Sequence, residues 1–157
     1  MQPYLIGKGN QMNCNYENLG KWISVLYRQF QVYINSELKA LNLNSSQYIF
    51  LLKLYKEDGV SQEELARQLF IDKGAAARAI KQLEENGYVT RKINAEDKRA
   101  YEIYLTVKAH DIEVDLKAIL TKWNSIISAG RSEEEIGILI NALQNMSANA
   151  LENHKQI

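Results

Sequence analysis

Residues 61–106 read SQEELARQLFIDKGAAARAIKQLEENGYVTRKINAEDKRAYEIYLT, and this stretch decides the fold. Ser61 followed three residues later by Glu64 is a capping box, which predicts a short helix from Gln62 to about Leu69 with Leu65, Ala66 and Leu69 turned inward. Asp72 caps the next helix. From Lys73 to about Asn86, the residues Ala76, Ala79, Ile80 and Leu83 fall on one helical face, and Gly87 stops the helix where a left-handed residue is wanted. Tyr88 to Ile93 and Tyr101 to Leu105 are rich in β-branched and aromatic residues, and the polar stretch 94–100 separates them. They read as a β-hairpin with a long charged tip.

Outward from this unit the periodicity is helical. Asn44 with Gln47 offers an N-terminal cap, and Tyr48, Ile49, Phe50, Leu51, Leu52, Leu54 and Tyr55 are apolar almost all round before Asp58-Gly59 ends the segment. Such a helix belongs in a core. Upstream, from about Asn15 to Leu41, Leu19, Trp22, Ile23, Leu26, Phe30, Tyr33, Ile34, Leu38 and Leu41 recur at helical spacing. Downstream, Thr106 caps a helix with the stripe Ala109, Ile112, Leu116, Ile119, Leu120, Trp123, Ile126 and Ile127, ended by Gly130. Ser132 and Glu135 cap the last helix, with Ile136, Leu139, Ile140, Leu143, Met146 and Ala150 in register. The expected fold is mainly α with a small β-hairpin wing: a winged helix-turn-helix over 43–106, flanked by long helices over 15–42 and 107–154. The flanking stripes must meet one another or a second subunit's equivalents, and a homodimer is the economical answer.

Composition narrows the function. With 157 residues, of which 46% are hydrophobic, the chain is long enough for one buried core, so 1–157 is expected to be a single domain. No apolar run approaches the roughly 18 residues that span a membrane, and residues 1–11 lack the basic start and apolar stretch of a secretory signal, so a cytoplasmic location is expected. One cysteine, Cys14, makes no internal disulfide, and with only two histidines, His110 and His154, the supply of metal ligands is poor. No cofactor is expected. The absence of a paired nucleophile and base, a glycine-rich phosphate loop or a metal cluster argues against catalysis.

The formal net charge is zero, yet the basic residues are not evenly spread. Between Arg67 and Arg99 stand Arg67, Lys73, Arg78, Lys81, Arg91, Lys92, Lys98 and Arg99 against Asp72, Glu84, Glu85, Glu96 and Asp97, a modest positive excess compatible with steering toward a polyanion. A helix-turn-helix reads DNA by laying its second helix in the major groove. Projecting the helix that begins at Lys73 at about 100° per residue places Gly74, Ala75, Arg78, Lys81 and Gln82 on the outward arc. Gly74 and Ala75 leave the helix N-terminus open to a phosphate, Arg78 has the planar fork that pairs with guanine, Lys81 suits a phosphate and Gln82 could serve adenine. Ser61 and Gln62 at the preceding helix start, and Arg91 in the first strand of the hairpin, complete the candidate contacts. The competing reading is an ordinary solvated helix face, since surface arginines are common on helices. Lys98 and Arg99 on the thin tip suit a minor groove, whose negative potential favours arginine, and Asp97 can fix the direction in which Arg99 projects.

The tip sequence Asp97-Lys98-Arg99-Ala100-Tyr101-Glu102-Ile103 resembles the D-x-R-x3-(I/L/V) wing signature of the MarR family of transcriptional regulators. Leu83-Glu84-Glu85-Asn86-Gly87-Tyr88-Val89-Thr90-Arg91 is similar to that family's L-E-x-x-G-h-h-x-R junction, with h apolar, and Leu105-Thr106 to the L-T that opens its next helix. The likeness in helix order runs from about Asn15 to about His154. It implies a homodimer in which the long flanking helices interlock and each winged unit reads half of a near-palindromic site in double-stranded DNA. It also implies a repressor, released when a small aromatic or anionic effector enters a cleft between the dimerisation helices and the winged unit. Tyr27, Arg28, Tyr33 and Tyr48 offer rings and charge for such a cleft, although aromatics at helical spacing are more often core. Cys14 lies near where an oxidant-sensing branch of the family keeps its cysteine, but Asn13, Asn15, Glu17 and Asn18 surround it here in place of apolar and tyrosine residues. The alternative to an operator-specific regulator is a winged-helix protein-interaction module. Such a module has no need of Asp97 and Arg99 at this spacing beside an arginine-bearing helix.

Overall fold

The computed structural model describes residues 17–93 and 101–154. Cys14 and the tip residues Asp97, Lys98 and Arg99 lie outside them. Helix α1 spans Glu17–Leu38 and passes into a 3-10 turn at Lys39–Leu41, closed by Asn42 in the left-handed conformation, φ 52°. The stripe expected to continue as one α-helix to Leu41 thus tightens over its last three residues. Then follow α2, Tyr48–Leu54; strand β1, Val60–Ser61; α3, Gln62–Gln68; and α4, Lys73–Glu85. Strands β2, Val89–Ile93, and β3, Tyr101–Leu105, lead to α5, Val107–Asp111, α6, Glu113–Ile127, and α7, Glu133–His154.

Local chemistry accounts for most of the boundaries. Ser61 Oγ accepts from Glu64 N–H at 3.1 Å and Asp72 Oδ1 from Ala75 N–H at 3.0 Å, so α3 and α4 each start on a side-chain cap. Gly87 takes φ 76° after α4. Thr106 caps α5 through Ala109 N–H, and Ser132 and Glu135 form a reciprocal box at α7. Two expectations need correction. The helix predicted to run from Thr106 to Gly130 is broken at Ile112, whose φ of −97° and ψ of 0° end α5 and admit α6. The wing is a three-stranded antiparallel sheet of order β1-β3-β2, not a lone hairpin, because Val60 and Ser61 pair with Ile103 and Glu102.

The core joins the winged unit to the flanking helices. Leu51 and Leu54 of α2, Leu65 of α3, Ile80 and Leu83 of α4, and Ile103 of β3 are fully buried together with Ile34 and Leu38 of α1 and Leu116 of α6. Burial of side chains this size contributes about 1.5–3 kcal/mol each. The outer parts of the flanking helices are different: Leu19, Trp22, Ile23 and Leu26 of α1, Ile126 and Ile127 of α6, and Ile138, Leu139, Ile140 and Leu143 of α7 all remain exposed. No described helix is long and apolar enough to cross a membrane.

Candidate nucleic-acid interface

Helix α4 is held from three sides. Ala76, Ala79, Ile80 and Leu83 are buried against the core, while Gly74, Arg78, Lys81 and Gln82 are exposed and Ala75 is partly exposed. At its C-terminal end a seam of hydrogen bonds ties it to the end of α1 and the start of α2. Asn42 Nδ2 donates to Asn86 Oδ1 at 3.1 Å, Asn86 Nδ2 donates to the Asn42 carbonyl at 3.0 Å, and Tyr88 Oη donates to the Leu41 carbonyl at 2.6 Å. From the other side Lys108 Nζ donates to the Asn86 carbonyl at 2.7 Å, which places a cation at the negative end of the helix dipole. Gln47, only 2% exposed, donates to Gln82 Oε1 while its own Oε1 accepts from Asn44 N–H at 3.0 Å. Asn44 and Gln47 therefore interact as the sequence suggests, but in a turn ahead of α2, which begins at Tyr48.

The exposed cations of this face differ in their commitments. Lys73 pairs with Glu63, Lys81 with Glu85 at 3.7 Å, and Arg67 grips Glu64 with two nitrogens. Hydrogen bonds from Arg67 and Gln68 hold the Glu64 carboxyl below the usual carboxylate range. Arg91 Nε lies 3.0 Å from Glu84 Oε2, off the N–H direction, so the attraction is ionic without a hydrogen bond. Arg78 makes no hydrogen bond or ion pair with any of the described residues. Its Nη1 lies only 3.5 Å from where a β-carbon on Gly74 would sit, so the guanidinium lies back along the open first turn of α4. Lys73, Gly74, Ala75, Arg78, Lys81 and Gln82 are thus brought together on one face. Ser61 serves as the α3 cap, and Gln62 stands partly exposed beside it. Lys92 extends this charge along β2, its Nζ 4.3 Å from the Tyr104 ring centroid.

The four aromatic and basic residues considered for an effector divide into two pairs. Tyr33 Oη donates to the Ile119 carbonyl at 2.9 Å and its ring lies 5.2 Å from Trp123, while Phe30 meets both Trp123, at 5.4 Å, and Tyr48, at 6.1 Å. Tyr33 and Tyr48 therefore pack in a ring cluster, and burial pushes the Tyr48 hydroxyl above its ordinary pKa. Tyr27 and Arg28 remain exposed, Arg28 donating to Ser24 on its own helix. A concavity of about 320 Å³ opens nearby between α2, the end of α3 and α6, with Ile49, Leu52, Tyr55 and Leu69 as its apolar lining and Lys53, Lys56 and Lys117 at its rim. Sequence periodicity did not single it out, because these residues come from three separate elements. Among the described residues no group of three His, Cys, Asp or Glu side chains is placed to hold a metal ion.

The chain matches the model of the MarR family over residues 43–101. It is 30% identical over 131 residues to the HTH-type transcriptional regulator BilQ of Clostridioides difficile (strain CD3), a match that covers 83% of this chain and 88% of BilQ. Among solved structures it is similar to a MarR transcriptional regulator from Methanosarcina mazei Go1, with 40% identity, a TM-score of 0.80, and 87% of this chain and 98% of that chain covered. A MarR family transcriptional regulator from Listeria monocytogenes, solved in complex with a 26mer DNA, matches with 31% identity and a TM-score of 0.81 over 86% of this chain and 90% of that chain.

Proposed function

The chain belongs to the MarR family of transcriptional regulators, and from that premise we propose that it binds double-stranded DNA sequence-specifically, as a homodimer on a near-palindromic site, and represses transcription. The observation that carries this reading is Arg78: a guanidinium on the exposed arc of α4 with no partner among the described residues, while Lys73 and Lys81 on the same helix already have carboxylate partners. Arg78 reads a base edge in the major groove, Lys81 and Lys73 hold phosphates after exchanging partners, and the first turn at Gly74 and Ala75 admits the backbone closely. Ser61, Gln62, Gln82 and Arg91 flank these contacts. Residues 43–106 form the DNA-reading unit. The flanking segments 15–42 and 107–154 dimerise, supported by the apolar residues that α1, α6 and α7 leave exposed.

A small aromatic or anionic effector that releases the DNA fits the concavity between α2 and α6, where lysines rim an apolar lining and Tyr27, Arg28, Tyr33 and Tyr48 lie on the adjoining elements. Occupancy there changes the packing of α2, and through Gln47 the position of α4.

Asp97, Lys98 and Arg99 supply the test. Arg99 enters a minor groove and Asp97 orients it, so Arg99→Ala strongly weakens operator binding and Lys98→Ala weakens it less. Asp97→Ala makes the wing more positive, yet it lowers both affinity and selectivity. Fluorescence anisotropy on an operator duplex, recovered by sequencing genomic DNA that copurifies with the protein, and on a scrambled duplex reads both quantities. Equal affinity for the two duplexes would instead favour a protein-interaction module.

A further inference from the structure

The C-terminal end of α4 is fastened to the end of α1 by directional contacts as well as by packing. Three hydrogen bonds join Leu41 and Asn42, at the close of the 3-10 turn, to Asn86 and Tyr88, at the exit from α4. Asn42 and Asn86 meet reciprocally, each donating a side-chain amide N–H to the other. Asn42 also holds φ 52°, a left-handed position in which glycine is the commonest residue. Asparagine tolerates it, and unlike glycine it brings the Nδ2 donor that reaches Asn86. The apolar core that the two helices share, through Ile34 and Leu38 of α1 and Ile80 and Leu83 of α4, attracts without direction. Hydrogen bonds weaken steeply off axis, so these three fix the angle at which α1 and the end of α4 meet.

That angle matters because α1 is long. It runs unbroken over its 22 residues, about 33 Å, with the seam at one end and the exposed Leu19, Trp22, Ile23 and Leu26 toward the other. Over such a lever a change of about 10° at the seam displaces α4 by about 6 Å relative to the far end of α1. One base step along a duplex is about 3.4 Å, so this small change already misplaces α4 by more than a base pair. Two-fold symmetry counts the error twice. We infer that the seam of Leu41 and Asn42 with Asn86 and Tyr88 sets which spacing of half-sites the dimer accepts. Asn42, Asn86 and Tyr88 are then positioning residues, which act through α4 and touch no base. The inference rests on the homodimer and the near-palindromic site proposed above, and adds what fixes the distance between the two halves.

Fluorescence anisotropy on three duplexes tests this: the operator, the operator with one base pair inserted between its half-sites, and a duplex carrying a single half-site. The insertion turns one half-site by about 35° and moves it by about 3.4 Å. Asn42→Gly suits the left-handed turn and Tyr88→Phe keeps the ring, so the double variant retains its helical circular dichroism while losing two of the three bonds. In that variant the preference for the operator over the inserted duplex falls by about threefold or more, and the affinity for the single half-site is unchanged. Should the double variant lose its helical signal, Asn86→Ala, which deletes both amide bonds at a partly exposed position, is read on the same scale. A folded variant with the wild-type preference overturns the inference. So does equal weakening on all three duplexes, which marks a direct contact or a general loss of structure. A wild-type chain that binds the operator and the inserted duplex alike overturns the paired half-site reading, and the inference with it.

Discussion

The buried side chain of Gln47 donates from Nε2 to Oε1 of Gln82 at 3.1 Å and so joins the start of α2 to the exposed arc of α4. This bond ties α4 to the turn ahead of α2, from the buried interior of the winged unit. Gln47→Leu keeps the volume but deletes both of the glutamine's hydrogen bonds. Stability falls by about 1–2 kcal/mol in urea unfolding, and operator affinity falls further than this loss explains, because α4 is free to tilt. Equal affinity for operator before and after the substitution, with the protein fully folded, overturns the tether.

Arg78 and Lys81 lie three residues apart on the same arc but in different electrostatic states. Arg78→Ala costs about 1–3 kcal/mol per half-site and relaxes base preference at a symmetric pair of positions. Lys81→Ala weakens all sequences alike and flattens the salt dependence. Selection from randomised duplexes separates the two, and an unchanged motif from Arg78→Ala removes it from base reading.

Gly59 holds φ 75° where the chain leaves α2 for β1, and a β-carbon there would sit 2.9 Å from Cε1 of Tyr104. Alanine therefore meets both an unfavourable backbone region and an aromatic ring whose hydroxyl donates to Glu102. Gly59→Ala destabilises the fold by about 2 kcal/mol or more, measured as a shift in the urea midpoint. A smaller loss in Gly59→Ala,Tyr104→Leu than in Gly59→Ala alone identifies the ring as the obstacle.

Tyr55 Oη donates to the Ala109 carbonyl at 2.6 Å, and burial, followed by the Glu113 charge, pushes its pKa up to about 12. The folded value lies above the unfolded one, so the folded state binds this proton more tightly. The contribution is complete below about pH 10, the unfolded value, and is lost as pH rises toward about 12. Thermal melts across that window fall in midpoint, and Tyr55→Phe shallows the fall. Burial raises the Tyr48 and Tyr88 hydroxyls in the same direction, so the variant leaves part of it.

Most of the architecture was legible where a single residue type carries the local physics. Ser61, Asp72, Thr106 and Ser132 announced helix starts by cap chemistry, and Gly87 announced a helix end by its tolerance of positive φ. What escaped depends on residues distant in the chain. β1 is two residues long and exists only because β3 pairs with it, so no local pattern marks it. The break at Ile112 carries neither glycine nor proline. Phe70 occupies a left-handed position under a residue name that predicts the opposite. The outward arc of α4 followed from periodicity alone, whereas the engagement of Gln82 by Gln47 required the fold, since the two are 35 residues apart.

The carboxylates paired with Lys73, Lys81 and Arg91 belong to the same surface that would meet a duplex. A mobile counterion leaves when a phosphate arrives, but Glu63, Glu85 and Glu84 cannot diffuse away. They act as tethered competitors, present at a fixed local concentration whatever the salt in the medium. A duplex offering phosphates alone must outbid them cation by cation, and each displaced carboxylate then repels it. A duplex that also engages the guanidinium of Arg78, which has no carboxylate partner among the described residues, gains something these pairs do not already provide. On a chain whose formal net charge is zero, indiscriminate attraction to nucleic acid would thereby be suppressed at its source, and the proposed discrimination between sequences would start from a low background.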